Sequence, residues 1–128
     1  MLHFDADWQN PRALTVLHYL DDCGSTWFPL AITVEAQEEG GWHPQSKEEA
    51  IAACERGRRM DPRLDGLRIS PRKGDSIAFY NAGDNGGMEM RSIHAGLPAP
   101  ATKRIASQFV RIPWIPMEPT DPILESWW

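Results

Sequence analysis

Cysteine is scarce in this chain. Only Cys23 and Cys54 occur in 128 residues, too few for a disulfide framework or a cysteine-based zinc site, so two free thiols in a reducing compartment are expected. No stretch approaches the roughly eighteen apolar residues that a membrane span needs. The opening Met1-Leu2-His3-Phe4-Asp5 lacks both the charged start and the apolar run of a signal peptide. Basic charge is not in excess either: the net charge is −5, and only Arg56, Arg58 and Arg59 cluster, which argues against a nucleic-acid partner. Internal repeats and low-complexity tracts are missing. What remains is a single globular domain with room for one core.

Turn formers and aromatics are plentiful. Eleven prolines, ten glycines and six tryptophans point to many turns and a β-rich fold. Residues 13–20 are apolar and β-branched and end at Asp21-Asp22-Cys23-Gly24, which predicts a buried strand. A second strand is expected over 27–34, bent or at an edge because of Pro29. Ser46-Lys47-Glu48-Glu49 has the form of a capping box and predicts a helix over 46–60, in which Glu55 and Arg59 are spaced for an ion pair. Strand signals return at 67–70 and 76–80. The turn sequence 84–87 then leads into a strand ending at His94, and 105–112 forms the last strand. Six or so short strands with one inserted helix imply an all-β sandwich or barrel. The tail, 113–128, is rich in proline and tryptophan and is expected to pack back on the domain 1–112 or on a partner.

Several polar residues are candidates for chemistry. His3 and Asp5 are two apart, so in an extended segment they share a face, roughly 6–7 Å apart at the backbone. With the distant His94 they make the two-imidazole, one-carboxylate set that holds non-haem Fe(II) on one face and leaves the other open. The alternatives are solvated terminal residues and a structural histidine. His18 and His43 have no partner at ligand spacing and are set aside. Alternation places Lys103, Ile105, Ser107, Phe109 and Arg111 on one face. If that face is interior, the Lys103 ammonium needs an anion, either a protein carboxylate or a bound acid. In the opposite register it is simply solvated. Tyr19 alternates with Leu17, Thr15 and Ala13, and an interior hydroxyl there needs a polar partner, in a site or on the backbone.

In order along the chain these pieces resemble the catalytic core of the prolyl 4-hydroxylase family of Fe(II)- and 2-oxoglutarate-dependent dioxygenases. His3-Phe4-Asp5 resembles the His-x-Asp motif. Arg12 and the following Ala13-Leu14-Thr15-Val16-Leu17-His18-Tyr19-Leu20-Asp21 resemble Arg-x-x-Thr-x-x-x-Tyr-Leu-Asn. Gly24-Ser25-Thr26-Trp27-Phe28-Pro29 resembles Gly-Gly-x-Thr-x-Phe-Pro, with Cys23-Gly24 in place of the paired glycines. The run from Gly66 to Phe79 resembles Gly-Leu-x-Val-x-Pro-x-x-Gly-x-Ala-x-x-Phe. His94-Ala95-Gly96-Leu97-Pro98 with Lys103 resembles His-x-Gly-x-Pro … Lys, and Phe109 and Arg111 follow at the family's spacing.

The resemblance covers about residues 3–112 and implies a double-stranded β-helix, or jelly roll. It implies iron held by His3, Asp5 and His94, with 2-oxoglutarate held by Lys103 and Tyr19 and ascorbate keeping the iron reduced. The implied reaction hydroxylates a peptidyl proline and releases succinate and carbon dioxide. Family members are often found in the endoplasmic reticulum. Because only Met1 and Leu2 precede His3, one strand pair of the jelly roll is expected to be incomplete. That leaves open a non-catalytic jelly-roll remnant that acts as a binding domain, or the same chemistry on a small molecule. The 35–65 insertion is expected to be a lid or a surface decoration.

Overall fold

The computed structural model describes residues 1–7, 11–31, 44–60 (backbone alone from 56), 66–83 and 87–111. His43, the Arg59 side chain with its expected ion pair to Glu55, the turn residues 84–86 and the tail from 112 onward lie outside these, as do 32–34 of the expected second strand.

The apolar alternation of residues 13–20 does form a strand, β1 (Arg12–Tyr19), and its inward residues Thr15, Leu17 and Tyr19 are buried. It is the centre strand of an antiparallel sheet. On one side lies β4 (Ser76–Tyr80), with Thr15 opposite Phe79, and on the other β6 (Ile105–Arg111), with Thr15 opposite Phe109. A second antiparallel sheet has β2 (Thr26–Phe28) between β3 (Leu67–Ile69) and β5 (Ala95–Gly96). Proline has no N–H to give to a ladder, and β2 stops at Phe28, where Pro29-Leu30 turns and the Ala31 N–H closes on the Phe28 carbonyl at 3.3 Å. The sheets meet face to face at the rings of Phe28 and Phe79, 4.9 Å apart and edge-on. The fold is therefore mainly β and jelly-roll-like, with three strands in each described sheet.

The strand expected to end at His94 is different. Residues Met90–Ser92 form a 3₁₀ turn capped by Glu89, whose carboxylate accepts from the Arg91 backbone N–H and grips its guanidinium at 2.9 Å. This local cap outcompetes the extended state, so His94 begins a strand segment instead of ending one.

The insertion helix is α1 (Lys47–Met60). Its expected cap is present: the Ser46 hydroxyl accepts from the Glu49 N–H at 3.1 Å, and the Glu49 carboxylate reaches back to the Gln45 N–H at 2.8 Å. Ala50, Ala53 and Cys54, spaced i, i+3, i+4, pack with Ala6, Leu30, Met88, Met90 and Ile93, and Leu2 and Phe4 lean on the same cluster. The helix is thus part of the core and no surface decoration. Its apolar stripe underlies the segment that carries His3 and Asp5. Neither Cys23 nor Cys54 is in a disulfide, as expected.

Candidate metal centre

Period-two alternation sorts the first six residues. Leu2, Phe4 and Ala6 turn to the α1 cluster, which leaves His3 and Asp5 on the opposite face. His3 is tied to His94 by an antiparallel bridge in which each N–H donates to the other's carbonyl at 3.0 Å. Their rings lie 4.3 Å apart. The His94 side chain sits against Phe28 of one sheet and Phe79 of the other, at 5.3 and 4.9 Å between ring centres. One imidazole is thereby fixed by core aromatics, while the other stays about half exposed (49% against 4%).

The hydrogen bonds fix the tautomers. His94 Nδ1 lies 2.9 Å from the Ser92 carbonyl, and His3 Nδ1 lies 3.1 Å from that of Met1. A carbonyl oxygen only accepts, so each neutral ring carries its proton on Nδ1 and presents a lone pair at Nε2. Burial holds the His94 imidazole below its ordinary range, and the bond to Ser92 opposes this. The two lone pairs face a carboxylate: His3 Nε2 is 3.6 Å from Asp5 Oδ1, and His94 Nε2 is 3.7 Å from Asp5 Oδ2. All of these are acceptors, and Asp5 Oδ2 is buried with no hydrogen-bond partner. An arrangement of converging, unsatisfied donor atoms is costly without a cation. Ligand atoms of the three residues lie within 4.8 Å of one another, and donors bonded to one ion at about 2.0–2.2 Å stand roughly 3–4 Å apart. The residues fit a divalent metal.

A second polar pair, Tyr19 and Lys103, converges on Ser25 and Thr26. The Tyr19 hydroxyl, fully inside, donates to Thr26 Oγ1 at 2.7 Å. Burial raises its pKa, and the bond to Thr26 opposes the shift. Its partner is thus a side chain and no backbone group. Lys103, half-buried just before β6, extends its ammonium to the Ser25 carbonyl at 2.8 Å, so both polar tips end on adjacent residues of the strand-opening segment. The register supports the interior face: Tyr19 is opposite Ile105 and Leu17 opposite Ser107. Burial lowers the Lys103 pKa, with nearby Cys23 opposing, and no carboxylate among the described residues pairs with it. Among the described residues two of its three donors have no partner, which leaves them open to an acid.

Gly24 makes room for this lysine. Its φ is +80°, and a Cβ there would stand 2.4 Å from Lys103 Cδ. Gly24→Ala should therefore cost about 1–2 kcal/mol in backbone strain alone and push the lysine stem aside. Denaturant midpoints should register the change, and a variant as stable as the wild type would show that the stem need not lie across this glycine.

His18, set aside from the sequence, is on the outer face with Nδ1 on Ser76 Oγ at 2.7 Å. Thr26, Phe28 and Phe79 stand in the sequence only as matched positions of the family motifs, and Ser25 as an unmatched one, none with a role in the site. The alternation of 76–80 was the available signal for Phe79, but its contact with His94 is a cross-sheet event with no sequence trace.

No family model matches the chain. It is similar to a curated protein named Prolyl 4-hydroxylase 13 from Arabidopsis thaliana, 36% identical over 80 residues. The alignment covers 58% of this chain and 27% of that protein, so the chain spans about a quarter of the relative's length.

Proposed function

We propose that the chain carries the iron- and 2-oxoglutarate-binding core of a dioxygenase of prolyl 4-hydroxylase type, acting on a proline within a peptide. The observation that supports this best is the convergence of His3, Asp5 and His94 with both Nδ1 atoms already spent on carbonyls. Partial similarity to a prolyl 4-hydroxylase points the same way. In this reading the three residues hold Fe(II), while Lys103 and Tyr19 receive the far carboxylate of 2-oxoglutarate. Iron with 2-oxoglutarate supplies the oxidative decarboxylation to succinate and carbon dioxide and the hydroxylation of an unactivated C–H bond. Ascorbate keeps that iron reduced.

The chain's own contribution is geometry and dryness. Phe28 and Phe79 hold the His94 ring and keep water from its buried side. Lys103 would supply charge-assisted hydrogen bonds to one carboxylate of a bound diacid. Tyr19, whose hydroxyl proton is held by Thr26 Oγ1, would turn that proton to the same carboxylate when the acid binds. The exposed flank of His3 is the side from which a peptide reaches the centre.

Anaerobic addition of Fe(II) and 2-oxoglutarate should produce the weak visible band of the chelate. Admitting oxygen with a proline-rich peptide should then release succinate in step with hydroxyproline. Absence of both the band and bound metal by elemental analysis would rule out the enzyme for this chain and leave a metal-free jelly-roll binding domain. A band with succinate release that ignores peptides but responds to a small molecule would move the substrate class.

A further inference from the structure

We propose that Arg12 is a positioning residue that sets Asp5 for the metal, clamped in place by Phe109; this rests on reading His3, Asp5 and His94 as a metal centre. Among the described residues, Asp5 makes a single hydrogen bond, and it comes from Arg12: Nη1 donates to the Asp5 backbone carbonyl at 2.7 Å. His3 and His94 hold each other through their paired backbone bonds, and each ring is anchored at Nδ1. Asp5 has no such anchor for its carboxylate, and the peptide plane gripped by Arg12 is what aims it.

A defect in the sheet brings Arg12 there. Strict alternation from the inward residues Thr15, Leu17 and Tyr19 would send Arg12 to the outer face. Between Leu14 and Arg12, however, the pairing with β6 slips by one: Leu14 is opposite Val110 and Arg12 opposite Arg111. The extra residue, Ala13, is a bulge on β1, and a bulge re-aims the side chains beyond it. Phe109, opposite Thr15, shares the inner face with it. The Arg12 guanidinium lies over the Phe109 ring, 3.7 Å from its centre, which is a cation–π stack on that inner face. No carboxylate among the described residues pairs with Arg12, and its Nε is buried without a partner. Ion pairing therefore does not explain its placement.

The sign of the effect separates this from a bystander role. A cation close to a cation site repels the metal, so a bystander Arg12, once neutralised, would leave affinity unchanged or raise it. A positioning Arg12 does the reverse. Groups that orient metal ligands are typically worth about 10–100-fold in metal affinity.

The experiment uses the whole chain and Mn(II), followed by loss of the free ion's six-line electron paramagnetic resonance signal. Arg12→Met, which keeps the apolar stem, should weaken Mn(II) binding by about 10–100-fold. Arg12→Lys, which restores a donor, should recover part of this. Phe109→Leu should weaken binding in the same direction, and Phe109→Tyr should not. Leu17→Ala, which empties a buried position on the same strand, should lower the melting temperature but leave Mn(II) affinity within about twofold, as expected for a site without shared contacts. Wild-type or tighter binding by both Arg12→Met and Phe109→Leu would overturn the positioning role and leave the centre standing. A wild-type chain that binds no Mn(II) would remove the centre, and this role with it.

Discussion

Asp5→Asn should destroy metal binding and at the same time make the metal-free chain more stable. In the present arrangement the carboxylate presents only acceptors to two lone-pair nitrogens, and Oδ2 is buried unsatisfied. An asparagine amide of the same shape offers N–H donors to one of those nitrogens. One new hydrogen bond is worth about 1 kcal/mol, which in a chain of this size raises the melting temperature by about 3–5 °C. Metal affinity should fall by more than about 100-fold, because orienting groups alone account for up to that much. Calorimetry in chelator and Mn(II) titration measure the two sides separately. His94→Ala should also abolish binding but move stability the other way, by on the order of 2 kcal/mol, because it leaves a cavity between Phe28 and Phe79. If Asp5→Asn lost stability as His94→Ala does, the carboxylate would be paired with a protonated imidazole, and the tautomer argument would fail.

Lys103→Ala is the second large effect, and it should separate co-substrate from metal. Among the described residues no hydrogen bond or ion pair joins the lysine to the three metal-ligand candidates, and its ammonium goes to the Ser25 carbonyl. Mn(II) affinity should therefore stay within about twofold of wild type. The loss falls on 2-oxoglutarate: a charge-assisted contact of about 1.5–3 kcal/mol corresponds to a roughly 10–100-fold weaker titration of the visible chelate band. Lys103→Met keeps the stem across Gly24 and removes the charge. Because burial already disfavours the ammonium, this variant should melt no lower than wild type while losing the same 2-oxoglutarate affinity. Loss of metal in either variant would mean that the lysine supports the centre and does not simply receive an acid.

Much of the site was readable from residue spacing. His3 and Asp5 share a face because extended chain alternates, and α1 packing against Leu2, Phe4 and Ala6 enforces that alternation. Alternation also put Thr15, Leu17 and Tyr19 on one face of β1, and their burial makes that face the inward one. The place of Met90–Ser92 was not, since a Glu89 cap decides the 3₁₀ turn and a sequence pattern of apolar residues is silent on it. The role of α1 was also out of reach. Capping signals mark where a helix begins, but which surface its alanine stripe covers depends on the sheet it meets.

The sequence by itself determined most element types, the grouping of Thr15, Leu17 and Tyr19 on one face of β1, and the shared face of His3 and Asp5. All of these follow from local period and chemistry. Tertiary structure alone decided three things: the Nδ1 tautomers, the aromatic grip on His94 between two sheets, and the bulge at Ala13 that turns Arg12 toward Asp5. Each depends on groups far apart in the chain meeting at distances of a few ångströms, and no local pattern encodes such a meeting.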